Sequence, residues 1–85
     1  MITVKCLGHI GTEVGASEIQ LDVEKVGAAE LVDNLRSKAL NPNPGFSRFN
    51  TLVMVGDGEA FVPAATGRTI KDGERVVLIP FSHGG

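Results

Sequence analysis

Arg75-Val76-Val77-Leu78-Ile79-Pro80-Phe81 is the stretch on which the fold turns. Four consecutive aliphatic residues leave no polar alternation, so the segment reads as a final strand suited to a central place covered on both faces. Pro80 fixes its own φ and lacks an N–H, which helps to end the strand there. Immediately upstream, Ile70-Lys71-Asp72-Gly73-Glu74 reads as a tight turn, with Gly73 able to take a positive φ.

Working outward, residues 2–7 alternate, with Ile2, Val4 and Cys6 on one face and Thr3 and Lys5 on the other. That is the period of a half-buried strand. The stretch from Gly8 to Ser17 holds Gly8, Gly11 and Gly15 and reads as a loop. Residues 18–24 alternate again, placing Ile19, Leu21 and Val23 inward, so the two strands suggest a hairpin. From Gly27 to Leu40 the period changes: Ala28, Leu31, Leu35 and Ala39, flanked by Val32, recur every three or four residues, which predicts an amphipathic helix. Asn41-Pro42-Asn43-Pro44-Gly45 stops it, and no motif is read in 41–50. Leu52-Val53-Met54-Val55 reads as a buried strand, Gly56-Asp57-Gly58 as a hairpin turn, and Ala60-Phe61-Val62 as its short return. Pro63 to Arg68 is read as irregular.

The chain has 85 residues, which allows one domain and no deep enclosed active site, so a carrier, substrate or binding role is favoured over free-standing catalysis. A net charge of -2 gives no basic field for nucleic acid. No apolar run approaches the roughly 18–20 residues that span a bilayer, and the N-terminus lacks a signal-peptide layout. The single cysteine, Cys6, permits no internal disulfide and points to the cytoplasm.

The order strand, strand, helix, strand, short strand, final strand is one that an α+β, β-grasp (ubiquitin-like) fold has, and by propensity alone other small α+β folds share it. In the β-grasp fold the mixed sheet packs on one main helix, and the first and last strands lie parallel, side by side. Within that frame, residues 70–80, an acidic-glycine turn, an apolar strand and a proline, followed by Phe81-Ser82-His83-Gly84-Gly85, resemble the MoaD/ThiS type of ubiquitin-like sulfur carrier. The resemblance spans the chain by element order and is specific over the last sixteen residues. It departs in one respect: such proteins often carry two adjacent prolines, whereas Phe81 follows Pro80 here. The ending His83-Gly84-Gly85 also resembles ubiquitin-related modifiers that act in transfer-RNA thiolation.

The resemblance implies a β-grasp body over 1–81 and a Gly-Gly tail over 82–85. Gly85 would be adenylated and converted to a thiocarboxylate, with Gly84 giving the tail access to a narrow site, since glycine permits close backbone approach. Pro80, Phe81 and His83 are the candidate partner contacts, Phe81 as an aromatic anchor beside the tail. The chain itself would bind no cofactor and would not be catalytic alone. ATP and Mg would be used by an E1-like (MoeB/ThiF-type) adenylating enzyme. A larger, MoaE-like synthase subunit would receive the tail in molybdopterin biosynthesis. Alternatives are a thiamine or transfer-RNA-thiolation carrier, a ubiquitin-like modifier, and a noncatalytic β-grasp interaction domain.

The remaining candidates read as structural. Cys6 lies on the apolar face of its strand, as a small core residue would. His9 sits in a glycine-rich segment, and two isolated histidines with one distant cysteine make no metal site. His83 is either a contact inside the activating enzyme or, as favoured, a solvated tail residue. Arg68, Lys71 and Arg75 lie near the tail in sequence and read as a solvated face, with an acidic partner as the alternative.

Overall fold

The computed structural model describes residues 1–56, 59–65 and 67–81. Among them, β1 (Ile2–Cys6), α1 (His9–Val14), β2 (Glu18–Leu21), β3 (Lys25–Gly27), α2 (Ala28–Lys38), β4 (Thr51–Gly56), β5 (Phe61–Pro63), β6 (Thr69–Lys71) and β7 (Arg75–Pro80) follow in chain order. The main sheet is ordered β2-β1-β7-β4-β5, and β3 and β6 form a separate two-stranded ladder. β1 pairs antiparallel with β2 and parallel with β7, and β7 pairs antiparallel with β4. This is the β-grasp fold, with its mixed sheet and main helix. Asp57 and Gly58 of the expected hairpin turn lie outside the described residues, although β5 does pair back on β4.

The core follows from two periods. Ile2, Val4 and Cys6 of β1, Val53 and Val55 of β4, and Val76 and Leu78 of β7 point one way from the sheet, two residues apart. Ala28, Leu31, Val32 and Leu35 form the apolar stripe of α2, and all join one buried cluster. Ala39 packs against that cluster but is already extended, so the helix ends at Lys38, short of the prolines. At the other end, Gly27 has no side chain to cap with; the Glu30 carboxylate accepts its N–H at 3.2 Å instead.

Several expectations are corrected. The stretch from Gly8 to Ser17 is not all loop but contains α1, which buries Ile10 completely. Its boundaries are Gly8 at φ 58 and Gly15 at φ 93, left-handed conformations that L side chains resist. Six residues make fewer than two turns, too few to display a period. β2 stops at Leu21, leaving Val23 exposed rather than inward. Ile70 and Lys71, read as part of the turn, instead belong with Thr69 to β6 and pair with β3, and the turn proper is Asp72-Gly73, Gly73 having φ 91. β7 is central but covered on one face only: Val76 and Leu78 are buried while Val77 and Ile79 are partly exposed.

The 40–50 segment, where no motif was read, closes the core with Phe46, which is fully buried. Its backbone is tied down on several sides. Arg36 Nε donates to the Phe46 carbonyl at 2.8 Å, Leu40 N–H to the Glu13 carbonyl at 2.8 Å, and Asn50 Nδ2 to the Gly45 carbonyl at 2.9 Å. The Glu13 carboxylate meets His9 Nδ1 at 2.8 Å and accepts the Gly45 N–H at 2.5 Å. The His9 hydrogen bond first, and the Gly45 N–H second, hold the Glu13 carboxyl below its usual value of 4.5. A carboxyl depressed on folding stabilises the fold above its unfolded pKa, and that contribution is lost as pH falls through the folded value. The stability difference between the wild type and Glu13→Gln, measured by urea unfolding, is therefore expected to be largest near neutral pH and to shrink below about 4.3. A gap that does not narrow on acidification removes this role for Glu13.

Candidate functional site

The chain leaves the sheet at the end of its best-supported strand. β7 is bonded on one side by β1 as far as Leu78, whose carbonyl accepts the Leu7 N–H at 3.1 Å. On the other side β4 follows it to the Thr51–Pro80 pair, and Phe81 N–H then donates to the Asn50 carbonyl at 3.0 Å. The strand ends at Pro80, as expected for a residue without a donor. The Pro80 ring closes over Gly8, where an added Cβ would stand 3.0 Å from Pro80 Cγ. Phe81 is thus held by its backbone bond to Asn50, just ahead of β4, and Pro80 by the turn after β1.

Of the five site residues expected from the sequence, Pro80 and Phe81 are placed by the structure. Pro80 is partly buried at the sheet rim, and Phe81 is 46% exposed beside it. His83, Gly84 and Gly85 lie outside the described residues. The sequence reading missed the surface leading up to them. Leu52 lies opposite Ile79 and Met54 opposite Val77 in the β4–β7 register, all on the face away from the core. With Phe81, two residues beyond Ile79, they line one side of the exit. The signal was present in β1: Val77 pairs with Lys5, and a face that carries Lys5 and Thr3 cannot be a second core. An aliphatic run on its own does not reveal which of its sides is covered.

Elsewhere the described residues offer little for catalysis. No group of three His, Cys, Asp or Glu side chains among them is placed to hold a metal ion. A cavity of ≈ 260 Å³ between α2 and β4 is walled by Ala28, Val32, Phe49, Leu52, Val53 and Ala64 together with Arg48 and Thr51, a lining without a nucleophile–base pair. His9 is bonded to Glu13 and serves the loop described above. No helix of the described residues is long and apolar enough to cross a membrane.

Cys6 is the only thiol in the chain, and burial pushes its pKa up. A thiolate-selective reagent at neutral pH is therefore expected to spare Cys6 in the folded protein and to modify it only after denaturation. Rapid stoichiometric labelling of the native chain at Cys6 runs against this. The point matters for chemistry at the tail, because a buried Cys6 leaves the surface silent to alkylation.

Neither a protein-family profile nor a curated protein matches the chain. Three solved structures do. The crystal structure of SAMP1 from Haloferax volcanii is 20% identical, covers 99% of this chain and 98% of its own, and superposes with a TM-score of 0.67. A structure of H. volcanii small archaeal modifier protein 1 is 19% identical over 95% of this chain and 97% of its own, with a TM-score of 0.68. A chain of the Amycolatopsis orientalis BexX/CysO complex is 17% identical over the full length of both, with a TM-score of 0.64. At these identities the likeness establishes the fold: the chain is built as a small β-grasp protein.

Proposed function

We propose that the chain is a ubiquitin-like sulfur carrier whose Gly85 carboxylate is adenylated and then converted to a thiocarboxylate, with molybdopterin biosynthesis as the leading destination of the sulfur. The observation that carries this reading is the exit of β7. A central strand, bonded on both sides, ends at Pro80 and Phe81 beside an apolar stripe on which a partner can seat, and Ser82-His83-Gly84-Gly85 follow in the sequence. Such a stripe beside an aromatic anchor suits a docking surface rather than an active site.

The chemistry explains why a body and a tail are both needed. A free carboxylate is a poor acyl donor. An E1-like (MoeB/ThiF-type) partner would transfer AMP from Mg-ATP to the Gly85 carboxylate, releasing pyrophosphate. An enzyme persulfide would then displace AMP from the acyl-adenylate to give an acyl disulfide, and attack of a thiol on the enzyme-side sulfur would release the thiocarboxylate and leave a disulfide between that thiol and the enzyme. A MoaE-like synthase subunit would receive the charged tail. Gly84 and Gly85 enter narrow sites because they present no Cβ. ATP and Mg belong to the activating enzyme on this reading, and the chain carries no cofactor of its own. The complex of BexX with CysO, one chain of which has this fold, supports docking onto a second protein as a use of the fold.

The test is incubation with a MoeB/ThiF-type enzyme, Mg-ATP and a sulfur source, followed by alkylation and localisation of the label. Label on the C-terminal fragment is the expected result. Intact mass alone does not decide it, because oxidation of Met1, Met54 or Cys6 adds an oxygen and nearly mimics the exchange of oxygen for sulfur. Absence of label with every such enzyme would overturn the carrier reading.

A second reading, protein modifier, is favoured by one particular: a structure matching 95% of this chain is that of a small archaeal modifier protein. There the same adenylated tail would be attacked by a lysine amine, with an isopeptide bond formed and AMP released. High-mass adducts in cells that vanish when Gly85 is removed would favour this reading, and it does not exclude the first.

A further inference from the structure

The open face of the sheet changes character away from the tail. Arg75 begins β7, and in the parallel register it sits beside Thr3, while Lys5 sits beside Val77. Lys5 and Arg75 are therefore diagonal neighbours on the face away from the core, although seventy positions apart in the chain. Both are exposed, and neither forms an ion pair or a side-chain hydrogen bond among the described residues. The other two basic residues close to the tail in sequence behave differently. Arg68 is bound to Glu74 at 2.6 Å, and Lys71 lies on β6, outside the main sheet.

The two free cations border a cavity of ≈ 250 Å³ whose lining also includes Val77, Thr3, Glu18 and Phe61. Phe61 is brought over the sheet opposite Gly56, where a Cβ would run into Phe61 Cδ1 and the Ala60 carbonyl oxygen. Glu18 lies opposite Lys5 in the β1–β2 register but makes no ion pair with it. The cavity thus has two cations at its edge, one carboxylate on the outer strand, and an apolar floor and wall. Met54, Ile79 and Leu52 lie farther along the same face of the sheet, toward the end of β7.

We propose that this cavity receives an aspartate or glutamate side chain from a partner protein, within a segment whose flanking residues are aliphatic. The Arg75 guanidinium offers a planar fork to the carboxylate and the Lys5 ammonium a second donor. Val77 and Phe61 take the aliphatic stem, and the flanking residues lie along Met54 and Ile79. The whole chain carries a net charge of -2, so the attraction is local and orients a partner rather than drawing it in from afar. That the partner is the one accepting the tail rests on the carrier reading; the cavity and its preference for a carboxylate do not.

The test is a titration of the full-length, isotope-labelled chain, followed by amide chemical shifts. The two probes are a synthetic peptide of alternating leucine and aspartate and the same peptide with asparagine for aspartate. The aspartate peptide is expected to shift the amides of residues 3–5 and 75–77 and to bind about tenfold more tightly than its asparagine counterpart, the worth of two exposed charge pairs. The Lys5→Gln/Arg75→Gln double variant, whose folding is read from the same spectra, is expected to lose that preference. Equal binding of the two peptides, shifts confined to other surfaces, no binding of either, or a preference surviving in the double variant would each overturn the proposal. Because no activation of the tail is involved, a chain that accepts no sulfur yet selects the aspartate peptide loses the carrier reading and keeps this site.

Discussion

Removal of Gly85 is expected to abolish C-terminal alkylation in the activation assay while leaving the fold intact. The described bonding of β7 closes with Phe81 N–H on the Asn50 carbonyl, four residues before Gly85, and the buried cluster ends at Leu78. Losing the last glycine should therefore alter unfolding free energy by less than about 0.5 kcal/mol, the range of changes remote from buried features. Its effect on chemistry is of another order, because the shortened chain presents its carboxylate one residue too early for a site that aligns the acyl group by a near-attack geometry. Parallel measurements of urea unfolding and labelling separate the two. A truncated chain that is labelled as well as the wild type would remove Gly85 from the mechanism. One that is unfolded would instead show that the tail supports the body.

Phe46→Ala is expected to be the most damaging single core change, costing about 3–5 kcal/mol. The side chain is fully buried, yet it comes from a segment without regular structure, held by that packing, by hydrogen bonds and by the Arg48–Asp33 ion pair to α2. The Arg36, Glu13 and Asn50 contacts to neighbouring backbone give the loop direction. Phe46 gives it the hydrophobic gain that offsets the entropy of ordering it. A domain of this size holds only about 0.05–0.15 kcal/mol per residue, so the loss removes a large part of its stability. Phe49, three residues on and 78% exposed, is the control, and Phe49→Ala should shift the urea midpoint little. A Phe46→Ala midpoint within error of the wild type would show that the loop is dispensable to the core.

The partition between what was legible in sequence and what was not follows the range of the interactions. β1 could be read because Ile2, Val4 and Cys6 alternate with Thr3 and Lys5, a pattern that one strand displays by itself. The helix could be read because Ala28, Leu31, Val32 and Leu35 repeat a local period over eleven residues. The place of β7 in the centre followed from its four aliphatic residues, and the end of the strand from the missing donor of Pro80. The proposed tail chemistry rests in the sequence on a resemblance alone, carried by 70–80 and the terminal Gly84-Gly85. Where the pattern was too short or its partner too distant, the sequence was mute. α1 spans six residues between two glycines, and β3 and β6 are three residues each, with ladder partners more than forty positions apart. Phe46 is one apolar residue in a polar loop, and only the closing of that loop over α1 and α2 makes it core. The open side of β7 and the pairing of Lys5 with Arg75 on it were decided by tertiary structure alone. A strand's own side chains state its two faces, but which face is covered, and by what charge it is bordered, depends on the strands that register brings alongside.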